Sequence, residues 1–345
     1  MSKRKLTRQQ RWRVEKVQAE RTQRAHSKDK KAQHALIEGH LDEVSNGLVT
    51  AHFGRQVEVE ATDGPHQGKR QRCHVRANVE SLVTGDKVTW RPALDELQEG
   101  VVEARQERKS LLARPDMRGT MKAVAANVDQ LLLVVAPEPE PFANLIDRYL
   151  VAAEDSGLEP VLVINKWDLI SQGQVSPVIS QRLDSFLEIY REIGYQVLAT
   201  STQSEEDLRD LKQQLKGQIS VFVGQSGVGK SSLINYLLPG VDLRVGSLSE
   251  DSRKGRHTTT TAKLFHFPEG GQLIDSPGIR EFALGYLEAN ALAEGFREFR
   301  PFLGLCRFRD CSHQKEPGCA LQSAVAEGKI RQQRFDSFLH LLTSL

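Results

Sequence analysis

The sequence predicts a multi-domain α/β chain with three parts. These are a small N-terminal OB-like β-barrel, a central mostly parallel sheet flanked by helices, and a helical C-terminal segment around a metal-ligating cluster. Three observations carry this prediction. Between Gly47 and Ala104, short alternating runs are punctuated by Gly and Asp. Between Leu111 and Tyr286, strand-sized apolar runs alternate with helical stretches, and three of the four cysteines fall within residues 306–319. The expected divisions are a basic flexible arm at 1–40, the barrel at 41–110, the sheet domain at 111–285 and the C-terminal domain at 286–345.

A formal net charge of +2 hides a strong asymmetry. Residues 1–35 hold 12 Lys or Arg against 3 acids, and the remaining 310 residues hold 35 against 42. A basic arm on an acidic body points to a polyanionic partner, RNA first, because phosphates feel such a charge at long range. A merely solvated tail is the bland alternative. The longest apolar stretches, Leu131 to Ala136 and Val161 to Ile164, are too short to span a membrane. The N-terminus lacks the apolar core of a secretory signal, so a cytoplasmic location is expected.

The barrel is read from Leu48-Val49-Thr50, Val57-Glu58-Val59, Cys73 to Arg76 and Asp86 to Trp90, with turns at Asp63-Gly64 and Thr84-Gly85-Asp86. Its size fits an OB-like barrel, which suits nucleic acid, although a fold alone does not give a function. Cys73 in one of these strands reads as buried core. The sheet domain is read from the runs Gln130 to Ala136, Pro160 to Ile164, Gln196 to Ala199, Ile219 to Val223 and Gln272 to Ile274. Between them lie helical patterns, including Leu145 to Ala153 and Ser180 to Ile193, and a final helix is expected around Ala320 to Leu342.

Gly224-Gln225-Ser226-Gly227-Val228-Gly229-Lys230-Ser231 fits a phosphate loop at every fixed position, with Ser232 following. A strand, Ile219 to Val223, enters it and a helix, Ser232 to Leu238, leaves it, which is the context a chance Gly-rich turn lacks. Glycines let backbone N–H groups curl around phosphates, and the helix N-terminus adds its positive end. Lys230 is expected to reach the β- and γ-phosphates, and Ser231 to bind Mg²⁺.

Asn165-Lys166-Trp167-Asp168 follows a second strand and selects the base. The Asp168 carboxylate can accept from guanine N1–H and the 2-amino group, whereas adenine would leave it desolvated and unmatched. Lys166 would lay its stem over the base, and Asn165 would tie this loop to its neighbours. Asp275-Ser276-Pro277-Gly278 follows a third strand; Asp275 would hold Mg²⁺ through water and the Gly278 N–H would meet the γ-phosphate. The switch threonine falls in Gly255 to Thr261, with Thr258 or Thr259 as the candidates. Ser201 is a further candidate near guanine O6. Bound GTP or GDP with Mg²⁺ is thus expected. The Asn-Lys-x-Asp motif precedes the phosphate loop, the reverse of the usual order, which marks a circularly permuted P-loop GTPase domain.

Cys306-x4-Cys311-x-His313-x5-Cys319 supplies three thiolates and one imidazole within 14 residues, a full set for tetrahedral Zn²⁺. Four ligands leave no place for water, so one structural zinc is expected. Arg307, Phe308 and Arg309 between the ligands suit RNA contact.

On Asn165–Asp168, Gly224–Ser232, Gly255–Thr261, Asp275–Gly278 and Cys306–Cys319, in that order, the sequence resembles the RsgA family (also written YjeQ or YloQ) of circularly permuted bacterial GTPases. The resemblance spans about residues 40–320. It implies an OB-fold domain, a permuted GTPase domain and a zinc-binding domain. It also implies GTPase activity stimulated by small (30S) ribosomal subunits, contact with ribosomal RNA, and release once the subunit matures. In this family a hydrophobic residue replaces the glutamine after Asp-x-x-Gly, and Ile279 matches that. His257 in the switch segment is then the candidate to orient the attacking water. Ser276 in place of Thr, and the imperfect Thr200-Ser201-Thr202 loop, depart from the family pattern.

The reading is a cytoplasmic, monomeric GTPase acting in late maturation of the small ribosomal subunit. Two others compete with it. One is a nucleotide-gated RNA-binding module in which hydrolysis is incidental; the other is a GTPase acting on a membrane assembly or tRNA.

Overall fold

The structure, a computed structural model, describes residues 40–95, 98–115, 120–241, 262–275 and 288–344. The basic arm lies almost wholly outside the described residues. Two compact units divide the chain, Met1–Arg108 and Lys109–Leu345.

The first unit is a closed five-stranded barrel of β1 (Ser45–Phe53), β2 (Gln56–Ala61), β3 (Arg70–Val75), β4 (Lys87–Arg91) and β5 (Gly100–Arg105). β1 pairs antiparallel with β2 and with β4, β2 with β3, and β4 with β5, whereas β3 and β5 run parallel. The order therefore closes as 1-2-3-5-4-1, the OB-type arrangement. Period-two alternation sends Val57, Val59 and Ala61 of β2 inward, onto Val49, Cys73, Val88, Trp90 and Val102. Burial pushes the Cys73 thiol well above its ordinary range, so it acts as core.

Trp90 fits this narrow interior because two strand positions carry no side chain. A Cβ at Gly47 would lie 2.3 Å from Val59 and 2.7 Å from Trp90 Nε1, and one at Gly100 only 2.8 Å from the Arg91 carbonyl. Arg108 closes the unit by forking onto the buried Asp86 carboxylate at 2.7 and 2.8 Å. Asp86 also accepts the Val83 N–H at 2.7 Å.

The second unit opens with a hairpin, β6 (Leu111–Pro115) and β7 (Met121–Ala126). Its main sheet comprises β8 (Gln130–Val135), β9 (Glu159–Ile164), β10 (Gln196–Ala199), β11 (Ile219–Val223), β12 (Lys263–His266) and β13 (Gln272–Asp275). The order is β10-β9-β8-β11-β13-β12, parallel except for β12 against β13. β8 and β11 are buried along their whole length, as strands covered on both faces must be.

The helices of this unit are α1 (Ala143–Asp155), α2 (Asp168–Ser171), α3 (Pro177–Ile193), α4 (Glu205–Leu215) and α5 (Lys230–Leu237). Local chemistry sets their ends. Ser176 caps α3 by accepting the Ile179 N–H, Pro177 occupies its first turn, and Gly194 closes it at φ +96°. Ser204 caps α4 ahead of Glu205, Glu206 and Asp207, whose charges suit the positive helix end. From β8 the chain winds outward to β9 and β10, and from β11 it winds to the opposite edge. The crevice between β8 and β11, at their carboxyl ends, is the switch point where such sheets bind ligands.

The C-terminal part of this unit holds α6 (Ala289–Glu294), a 3₁₀ segment (Arg297–Phe302), α7 (Ala320–Ala326) and α8 (Gln332–Leu342). The single helix expected over Ala320 to Leu342 is thus two. Gly328 takes φ +73°, the Lys329 N–H turns back onto the Ala324 carbonyl at 2.9 Å, and Ile330 is driven into the core. α8 packs on α1 through an ionic knot. The buried Arg334 guanidinium donates to Asp147 of α1 and, at 2.6 Å, to Glu298, while the Tyr190 hydroxyl donates to Asp147 at 2.8 Å. Burial pushes the Asp147 carboxyl up against the pull of the Arg334 charge. The Asp147 and Glu298 charges overcome the burial of Arg334 and hold it protonated. Phe296 and Tyr190 stack on the same guanidinium. Arg297 and Arg300 bind Glu154 of α1, and Arg331 binds Glu192 of α3, so charge also lines the rim of this contact.

Candidate functional site

The phosphate loop runs from β11 into α5, and its glycines sit where no side chain fits. Gly224 takes φ +136°, and a Cβ there would lie 2.2 Å from the Val134 carbonyl oxygen on β8. Gly229 takes φ +85° as the residue before α5, with Asn165 Nδ2 only 2.4 Å from the position its Cβ would take. A loop this tightly seated directs its N–H groups into the crevice. Lys230 Nζ folds back onto the Gly224 and Gln225 carbonyls at 2.7 and 2.5 Å, and so lies along the concave edge of the loop. Ser231 and Ser232 begin α5 beside it.

Asn165, Lys166, Trp167 and Asp168 follow β9. Asn165 is buried and its amide donates to the Val228 carbonyl at 2.9 Å, joining the base-selecting loop to the phosphate loop. Its Oδ1 is a buried acceptor with no donor among the described residues, a polar atom left for a ligand to satisfy. Lys166 adopts φ +59°, a left-handed conformation that β-carbons resist, and its ammonium donates to the Glu138 carbonyl at 2.9 Å. The turn continues through Trp167, whose N–H reaches the Thr200 carbonyl at 3.1 Å.

Ser201, fully buried after β10, donates from Oγ to Asp168 Oδ1 at 2.6 Å and accepts the Gln203 N–H at 3.1 Å. The structure thus brings the Asn165–Asp168 turn, Ser201 and the Gly224–Ser232 loop around one crevice. Asp275 ends β13, two strands from β8 and next to β11. Gly278, the switch candidates Thr258 and Thr259, His257 and Ile279 lie outside the described residues.

One wall of this crevice was not foreseen in the sequence. The segment Pro137-Glu138-Pro139-Glu140-Pro141 after β8 presents its carbonyls to the pocket, where Gln225 Nε2 donates to Pro139 and Glu140 at 3.2 and 3.3 Å. Its signal was visible: prolines at 137, 139 and 141 supply no backbone N–H to a helix or ladder, so carbonyls in this stretch are left for side-chain donors.

In the C-terminal part of the unit, the ligand atoms of Cys306, Cys311, His313 and Cys319 all lie within 4.8 Å of one another. His313 Nδ1 stands 3.5 Å from Cys306 Sγ and 3.4 Å from Cys319 Sγ. Tetrahedral zinc bonds would put such S and N atoms about 3.5 Å apart, so the donor set fits one zinc ion. Desolvation and the neighbouring thiols push the Cys311 thiol up to about 12, a state that a bound cation reverses by taking the thiolate. Around the cluster, the Ala320 N–H points at Cys306 Sγ at 3.3 Å and Gln322 donates to the His313 carbonyl at 3.1 Å.

The strand order, the crossed loops at the crevice and the reversed motif order define a circularly permuted GTPase. The chain belongs to the RsgA GTPase family, whose model matches residues 105–285, and is a GTP hydrolase of that family. It is 56% identical along its whole length to a protein of Ectopseudomonas mendocina, covering 98% of it. It is 59% identical to one of Chromohalobacter salexigens, covering 99%. Both are named small ribosomal subunit biogenesis GTPase RsgA. Among solved structures it resembles YjeQ of Thermotoga maritima, at 34% identity and a TM-score of 0.71, over 88% of this chain and 99% of that one. It also resembles YloQ, described as a circularly permuted GTPase, at 30% identity and a TM-score of 0.70, over 88% and 96%. Among the described residues, no helix is long and apolar enough to cross a membrane.

Proposed function

We propose that this GTPase acts on the small (30S) ribosomal subunit in the cytoplasm, as a monomeric factor in its late maturation, and that docking on the subunit and its rRNA accelerates hydrolysis. The observation that carries the reading is full-length identity above half with relatives named for that role. The basic arm supports an RNA partner, and the OB-type barrel suits it.

At the crevice, Asp168 reads guanine while Ser201 fixes its carboxylate, and the Lys166 stem covers the base. The N–H groups of Gly224 to Ser232 and Lys230 hold the phosphates. Mg²⁺ would be held by Ser231, Asp275 and Thr258 or Thr259, and would neutralise charge on the β- and γ-oxygens. Gly278 senses the γ-phosphate and His257 orients water. GTP orders the two switch segments and favours docking; its loss relaxes them and permits release. Cys306, Cys311, His313 and Cys319 would hold zinc, which would tie down the loop that carries Arg307, Phe308 and Arg309.

Steady-state GTP turnover with and without purified small subunits, with ATP as control, tests this. Strong stimulation by small but not large subunits, without ATP turnover, is expected. A rate indifferent to the ribosome would remove the assigned partner.

A further inference from the structure

Lys166 reaches the Glu138 carbonyl at 2.9 Å, and Gln225 reaches those of Pro139 and Glu140 at 3.2 and 3.3 Å. Two side chains, one from the base-selecting turn and one from the phosphate loop, therefore donate to three consecutive carbonyls of one short segment. That segment is built to receive them. Prolines at 137, 139 and 141 hold their own φ near −65°, and the chain bends through residues 137–139 with the Glu138–Pro139 bond cis. Three ring-locked residues in five leave this ridge little conformational entropy to lose, and its carbonyls are not used by a helix. Pro139 also lies 3.6 Å from the position a Cβ at Gly227 would take, so the ridge lines the phosphate loop directly.

We propose that the Pro137–Pro141 ridge is a clamp that fixes the base-selecting turn and the phosphate loop relative to each other, and that Gln225 and Lys166 are positioning residues acting through it to set how long nucleotide stays bound. The proposal rests on the GTP-site reading above. Asn165 already links the two loops through Val228 on their inner side. The ridge supplies a second link on the outer side, and two links are needed to stop one loop pivoting about the other. With both in place, a departing guanine and its phosphates must leave a preformed slot; with the outer link gone, each half can open alone.

The test is a double-mutant cycle on nucleotide release from the full chain, read by stopped flow with a fluorescent GDP. Gln225→Met and Lys166→Met keep side-chain length and apolar stem but remove the donors. Each is expected to speed release about five- to tenfold, as loss of one net hydrogen bond implies. Because both act through one ridge, the double variant should stay within about twofold of the faster single variant. Multiplied effects would show two independent contacts, and unchanged release in Gln225→Met would show no clamp; either overturns the proposal. Thermal unfolding of each variant guards against general damage, and a midpoint kept within about 2 °C is expected for the half-exposed Gln225. Failure of the wild-type chain to hold GDP at all would instead sink the GTP-site reading.

Discussion

The Ser201 hydroxyl donates to Asp168 Oδ1 at 2.6 Å, and Ser201 is itself held by the Gln203 N–H. A carboxylate meant to receive two parallel bonds from a base edge must not rotate, and this bond limits its rotation. The Ser201→Ala variant should therefore weaken GTP binding roughly tenfold to a hundredfold, the range for a lost bond to a charged group. Competition titrations should also show a narrower preference for GTP over ATP. An unchanged preference would return Ser201 to a purely structural role.

His257→Ala should keep GTP affinity and lose turnover by about a hundredfold or more, the usual contribution of a residue handling the attacking water's proton. Equilibrium binding and single-turnover hydrolysis on small subunits separate the two quantities. Near-normal turnover would leave water to another group, and would favour a nucleotide-gated binder in which hydrolysis is incidental.

Arg334→Met should cost about 3–5 kcal/mol, measured as a shift of the urea midpoint, because it leaves Asp147 buried without its cation. Replacing both partners, Arg334→Met with Asp147→Leu, should recover part of that loss, since the fully buried carboxylate is then gone and only the half-buried Glu298 has lost its cation. A double variant as weak as the single one would show that shape, not charge, governs this contact.

Removing zinc with a chelator, or making Cys319→Ser, should open the loop around residues 306–319 to protease while GTP affinity moves less than about twofold. The cluster is built from residues following the 3₁₀ segment, and none of its ligands belongs to the loops that form the crevice. A large fall in GTP affinity would show that the metal supports the whole unit.

Much of this molecule could be read from its residues. Val57, Val59 and Ala61 alternate with glutamates as a barrel strand must, and the loops after β9 and β11 carry their chemistry in contiguous motifs. What could not be read involves partners distant in sequence. An Arg in an amphipathic helix such as α8 reads as surface, and only the fold places Arg334 against Asp147. The Pro137–Pro141 ridge reads as a rigid loop, but nothing local says that Gln225 and Lys166 will find its carbonyls. Closure of the barrel likewise depends on β1 pairing with β4 across a long stretch of chain, a match no window of sequence displays. Gly328 can break a helix, but the apolar period running through it masks that effect in the sequence.

The partnership of Asp147 and Arg334 also has a bearing on how the chain is made. The carboxylate emerges early in synthesis, and the guanidinium that neutralises it follows 187 residues later. Until α8 is made, α1 lacks the cation that faces Asp147, so this contact between α1 and α8 forms only near the end of synthesis.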